Sequence, residues 1–205
     1  GGGQGKDTVL PVPAPQAMEP QAIVPVFDGD SAYRFVAEQV AFGPRVPNSE
    51  GHRKCSSYLE EKLRSYGAEV IVQNADIKAY NGDVLKASNI IARFQPQKSE
   101  RVLLCAHWDT RPWADNDPNT KNHRKPVLGA NDGASGVAVM MEICRILQQK
   151  PVKIGIDFVC FDAEDMGTPQ WAETLENDEH TWCLGSRYWA EQAFAKKYRA
   201  SCLTR

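Results

Sequence analysis

Apolar residues fall at helical spacing in two early segments. Between Ser31 and Phe42, Tyr33, Val36, Ala37 and Val40 lie on one face, which predicts a helix with Asp30 or Ser31 as its cap. After the breaker "GPRVPNSEG", Ser49 to Tyr66 repeats the pattern through Cys55, Tyr58, Leu59 and Leu63 and is stopped by Gly67. The period then shortens to two. "AEVIVQNADIKAY" and "VLKASNIIARF" flank the turn "NGD" and predict an antiparallel hairpin. "RVLLCAHWD" follows as a short buried strand, then a polar loop from Asp109 to Leu128 broken by Pro112, Pro118 and Pro126. "GASGVAVMMEICRILQQK" has the pattern of a helix and "VKIGIDFVCFDAED" that of a second buried strand. A loop over 166–183 leads to a last helix in "GSRYWAEQAFAKKY".

Strand, long loop, helix and strand in succession over 101–165 make a βαβ crossover, hence neighbouring parallel strands in an α/β sheet. The length, 205 residues, suits one such domain. We expect it over residues 28–205, preceded by an extended tether over 1–27 that is rich in Gly, Pro, Gln and Ala. A tether of this kind suits a periplasmic, secreted or lipid-anchored protein whose signal has been removed, more than a cytoplasmic one. Net charge is −2, so there is no electrostatic pull toward nucleic acid. No apolar run approaches the roughly 20 residues of a membrane span. Six cysteines show neither a CxxC pair nor metal-ligand spacing, and read as small buried hydrophobes.

In an open α/β sheet, ligands collect beyond the C-terminal ends of the strands. His107 and Asp109 finish the first strand of the crossover, Asp132 precedes its helix in "GANDGASG", and Glu164 and Asp165 finish the second strand. Singly, each has a bland explanation: a strand-end carboxylate is commonly a cap or a solvated turn, and Asp132 could cap the following helix. Five groups on one rim from separate segments favour a site. Imidazole nitrogen with carboxylate oxygens suits zinc. If strand geometry persists to its end, Glu164 and Asp165 point to opposite faces, one free to bind metal and one to handle a proton. Asp162 is left without a role.

"HWDT", "GANDGASGVA", "FVCFDAED" and "CLGSRYWAEQ", in that order, resemble the zinc aminopeptidase family and its relative, zinc-dependent glutaminyl cyclase, over about residues 31–195. The resemblance implies a three-layer α/β/α fold on a mixed, mostly parallel sheet. On the aminopeptidase pattern, His107 binds one of two zincs, Asp109 orients it, Asp132 bridges the pair, Glu164 is general base and Asp165 binds the other zinc. On the cyclase pattern a single zinc takes Asp132 and Asp165, Glu164 shuttles the proton and His107 stands behind the ligands. Asp165 replaces the usual Glu. Both patterns draw a further His from a later segment, and the aminopeptidases a later Asp. The sequence ends at Arg205 before either, so the C-terminal part of the domain is expected to be missing, zinc to be poorly held and activity weak.

Tryptophans favour the cyclase: Trp171 in the loop after the acid pair resembles that subfamily's pocket wall, and Trp108 and Trp113 flank the His107 motif as further substrate contacts. The 19 residues between Asp165 and Gly185 are long for an aminopeptidase. The expected substrate is a peptide N-terminus, with an aminopeptidase, or a non-catalytic module of the same fold, as alternatives. Self-association is a further expectation, from the sheet edge an incomplete domain would expose. His52 is expected to be solvated and His123 at a surface loop tip; His180 could border the pocket. Arg111 either braces its loop or meets substrate. Cys55 and Cys183 lack a positioned base and are not read as nucleophiles.

Overall fold

A computed structural model of the protein describes residues 21–172 and 178–192. Of the expected tether, 1–20 lie outside the described residues. Residues 21–27 form no helix or strand, and Ile23, Val24 and Val26 are exposed. Helix α1 (Gly29–Val40) starts earlier than its pattern predicts, because Asp28 is the cap: its carboxylate accepts from the amides of Asp30 and Ser31. Its buried face is also rotated from the expected one. Ser31, Phe35 and Gln39 point inward while Tyr33 is exposed. Gln39 tolerates burial because its side-chain amide donates to the carbonyls of Phe35 and Ala134.

Helix α2 (Glu50–Ser65) is capped by Ser49 and buries His52, Cys55, Leu59 and Leu63. Strands β1 (Glu69–Lys78) and β2 (Val84–Phe94) form the expected antiparallel hairpin, in register from Glu69 opposite Arg93 to Lys78 opposite Val84. β3 (Arg101–His107), α3 (Gly136–Gln149) and β4 (Gly155–Phe161) are the crossover, with β3 and β4 parallel neighbours. The sheet order is β1-β2-β4-β3. The sheet is mixed. Among the described residues one pairing is parallel and two are antiparallel, since β2 also pairs antiparallel with β4.

Alternation along the strands divides the core into two faces. Ile90, Ala92 and Phe94 of β2 and Phe158 and Cys160 of β4 face Phe35, Leu59, Leu63, Val137 and Met141 from the three helices. Ile91 and Val159 face the other way, onto Trp189 of α4 (Leu184–Glu191). Helices therefore cover both faces, giving the expected α/β/α layering. Continuation of α4 to Tyr198 falls partly outside the described residues. β4 is buried throughout except at Phe161, with one charge inside it: Asp157 is fully buried and paired with Arg101 and Arg93.

Candidate active site

β3 and β4 end side by side, His107 in register with Phe161. Strand geometry stops there, not at Asp165 as expected. Ala163 takes a left-handed φ of +51°, so residues 162–165 form a turn that aims Glu164 and Asp165 over the sheet edge. Side-chain oxygens hold this turn in place of a neighbouring strand. The amide of Asp162 donates to Asn89 Oδ1 (2.9 Å) and that of Ala163 to Asp162 Oδ1 (2.7 Å). Those of Glu164 and Asp165 donate to the two oxygens of Asp109, at 3.0 and 3.1 Å. The carbonyls of Asp162, Ala163 and Glu164 accept from Gly185, Leu184 and Cys183 at the start of α4. Asp109 is fully buried, and its carboxylate anchors the acid pair as well as lying 3.3 Å from His107 Nδ1.

Asp132 arrives on an irregular turn, Ala130–Ser135, whose Asp132 and Gly133 dihedrals are not helical; α3 therefore starts at Gly136, not Gly133. Two left-handed glycines permit the bend, Gly129 (φ +65°) and Gly133 (φ +103°). Arg45, fully buried, fastens it by donating to the carbonyls of Leu128 and Gly129, both at 2.7 Å. The Asp132 side chain does not cap α3. Its Oδ1 lies 2.8 Å from His107 Nε2, and Glu164 Oε2 lies 3.8 Å from the same nitrogen.

Both ring nitrogens of His107 thus face oxygen acceptors, which suits a doubly protonated imidazole. Burial works against that charge. The hydrogen bond to Asp109 and the charges of Asp109, Glu164 and Asp132 together outweigh it and raise the pKa to about 10. Burial, then the charge of Glu164, pushes Asp165 up to about 7 against the pull of Arg111. The Asp165 carboxylate lies 3.5 Å from Arg111 Nη1, while Glu164 Oε2 takes His107 as its partner. The two carboxylates thus have different partners, and they stand at the end of a turn, not of a strand.

Four carboxylates here meet one imidazole and one guanidinium, and the guanidinium is already held bidentately by Asp115 at 2.5 and 2.6 Å. The rim carries an excess of negative charge, and its donor atoms are those zinc uses. They fit zinc in kind, though among the described residues no group of three His, Cys, Asp or Glu side chains is arranged to hold a metal ion.

The tryptophans separate. Trp108 is fully buried, stacked on His52 at 4.3 Å, with its indole N–H donating to the carbonyl of Ser88. It packs beneath the site and offers no surface to a substrate, contrary to expectation. Trp113 and Trp171 are half-buried and meet edge to face at 5.7 Å, with Tyr80 against Trp113 and Arg124 over Trp171. Arg111 braces: it lies over Trp113 and Trp182 and donates to the carbonyls of Asp165 and Gly167. His180 is exposed, and His123 bonds the carbonyl of Asp117 within its own loop. Cys183 donates to Glu164 Oε1 at 3.5 Å; burial and that carboxylate raise its pKa, as burial raises that of Cys55 to about 12, and neither is poised as a nucleophile.

His52 is not solvated. It is 3% exposed and its Nε2 lies 2.8 Å from the fully buried Asp162. The signal was present: His52, Cys55, Leu59 and Leu63 share one helical face. Nothing in the local pattern pointed to Arg45 or Asn89.

A family model described as Peptidase family M28 matches residues 89–203. Similar solved structures include a glutaminyl cyclase from Tannerella forsythia (55% identity, TM-score 0.81, 86% of this chain and 60% of that one). Another is described as a leucine aminopeptidase precursor from Bacteroides thetaiotaomicron (52%, 0.82, 87% and 60%). A third is a Zn-dependent exopeptidase from Parabacteroides distasonis (51%, 0.81, 83% and 58%). The chain spans 58 to 60% of the length of these proteins.

Proposed function

The chain belongs to peptidase family M28, and from that premise we propose that the protein is a glutaminyl-peptide cyclotransferase, turning the N-terminal glutamine of peptides into pyroglutamate with release of ammonia. The observation that carries this reading is the edge-to-face pair Trp113–Trp171 on the loops beside the acid pair. The half-buried indoles offer apolar surface against which a glutamine side chain would pack. The 55% identity to the Tannerella forsythia glutaminyl cyclase supports it. An aminopeptidase is the second reading, supported by the similarity to the Bacteroides thetaiotaomicron leucine aminopeptidase precursor.

Cyclisation joins the α-amine nitrogen to the side-chain amide carbon and breaks the bond from that carbon to the amide nitrogen. One proton must leave the amine and one must reach the departing nitrogen. Glu164 is the group for both transfers: its carboxylate is one-third exposed at the rim, and its backbone is fixed by Asp109. His107 steadies Asp132 through the 2.8 Å contact. Asp132 and Asp165 would hold zinc, which when bound supplies Lewis-acid polarisation of the amide carbonyl. The Trp113–Trp171 pair would narrow the access of the water that hydrolysis needs.

The test is incubation of the full-length protein, with zinc, on a Gln-Xaa-Xaa peptide, followed by mass. Loss of one ammonia with the peptide bond intact is expected. Release of free glutamine would replace this reading with the aminopeptidase.

A further inference from the structure

We propose that His52 and Asp162 are positioning residues that set the turn presenting Glu164 and Asp165. The proposal rests on the reading of those two carboxylates as the reacting pair, and it assigns work to two buried polar groups that the chemistry above does not use.

Asp162 is the residue at which β4 becomes the turn. It is fully buried, and each of its oxygens has a defined task. Oδ1 accepts the amide of Ala163, the left-handed residue on which the turn pivots. Oδ2 accepts the amide of Ser88 on β2 at 2.7 Å and faces His52 Nε2 on α2 at 2.8 Å. Two amides and the His52 ring nitrogen thus hold one carboxyl group in the rotation in which Oδ1 meets Ala163. Burial, joined by the charge of Asp109, holds the Asp162 carboxyl above the usual carboxylate range, against the pull of His52 and the Ser88 amide. His52 in turn cannot drift. It is stacked on Trp108, whose rings lie within 20° of parallel with it, and Trp108 is tied to the carbonyl of Ser88. The fastening joins α2, β2 and the residues following β3 and β4, so a change at His52 reaches the acid pair without touching substrate.

Loss of such a supporting hydrogen bond typically lowers metal affinity or turnover by about 10- to 100-fold. The experiment compares the full-length wild type with Asp162→Asn, His52→Leu and, to retain a side-chain donor, His52→Gln. For each, kcat and KM on a glutamine peptide, zinc affinity and amide hydrogen exchange are measured per folded molecule. In Asp162→Asn and His52→Leu we expect kcat and zinc affinity to fall by about 10-fold or more. KM should stay within about twofold, with faster exchange confined to the 162–165 segment; His52→Gln should recover most of the loss. Unchanged kcat and zinc affinity beside a lowered melting temperature would overturn the proposal, because the pair would then serve stability alone. Exchange that accelerates evenly over the domain would overturn it too. If the wild type neither binds zinc nor consumes the peptide, the functional reading fails. The local exchange response then decides whether the pair sets the turn.

Discussion

Replacing Gly133 by alanine tests the turn that delivers Asp132. Gly133 has φ +103° and ψ −64°, a combination closed to residues with a Cβ. An added Cβ would also stand 2.7 Å from the carbonyl oxygen of Asp109. That oxygen has little room to retreat, because the Asp109 carboxylate is tied to the amides of Glu164 and Asp165 and the carbonyl itself faces His107 Nδ1. Backbone strain of this kind costs about 1–3 kcal/mol and overpacking a fixed site about 1–3 more. The expected loss is about 3–4 kcal/mol, a large share of the typical 5–15 for a domain. Urea unfolding at 25 °C measures it. Gly29→Ala is the control, since Gly29 opens α1 and its Cβ would meet nothing within 4 Å; it should be neutral or gain up to about 1 kcal/mol. If Gly133→Ala falls within 1 kcal/mol of that control, the turn is not held as described.

In zinc-free protein, NMR titration should find His107 protonated until about pH 10. Its stabilising contribution is then full below about pH 6.5 and lost as pH rises through about 10; a midpoint near 6.5 would refute the contact with Asp109 and Asp132. Asp157→Ala removes the buried carboxylate shared by Arg101 and Arg93 and should cost about 3–5 kcal/mol in denaturant unfolding, with part regained when Arg101→Met is added. Leu59→Ala, at a fully buried position, should cost about 2–5 kcal/mol by the same assay. A chelator should lower the melting temperature of the full-length protein, and zinc at one hundred times its Kd should restore about 2.7 kcal/mol; no response would argue against a resident cation.

The elements most legible in the sequence are those whose pattern and environment agree. The hairpin around "NGD" and the crossover over 101–161 follow from period and turn chemistry alone, since β4 is buried on both faces and α3 on one. α1 is placed correctly but turned, because Gln39 lies inward on the strength of two hydrogen bonds that hydrophobicity does not register. The end of β4 is misjudged for a related reason. Apolar residues continue toward the acid pair, but Ala163 leaves extended geometry where the side chains of Asp162, Asn89 and Asp109 accept the amides of residues 162–165.

At the site, sequence order brings His107, Asp109, Asp132, Glu164 and Asp165 to one edge, because strand ends in a parallel crossover must meet there. What holds them in place is less accessible. Asp109 reads as a partner for His107, two residues away, yet its bonds to the amides of Glu164 and Asp165 reach across 55 and 56 residues. His52 and Asp162 are 110 residues apart, and neither has a polar neighbour in sequence that hints at the other. Burial is the missing quantity. A histidine on an apolar helix face and an aspartate inside an apolar strand end each lack a local partner, and a buried charge without one would be costly. Two such residues in one domain are therefore grounds for expecting them to meet. Applied to Arg101 and Asp157, the same rule pairs another strand-borne charge with its partner. Polar residues at core positions thus carry long-range information that hydrophobic periodicity, which treats them as errors, discards.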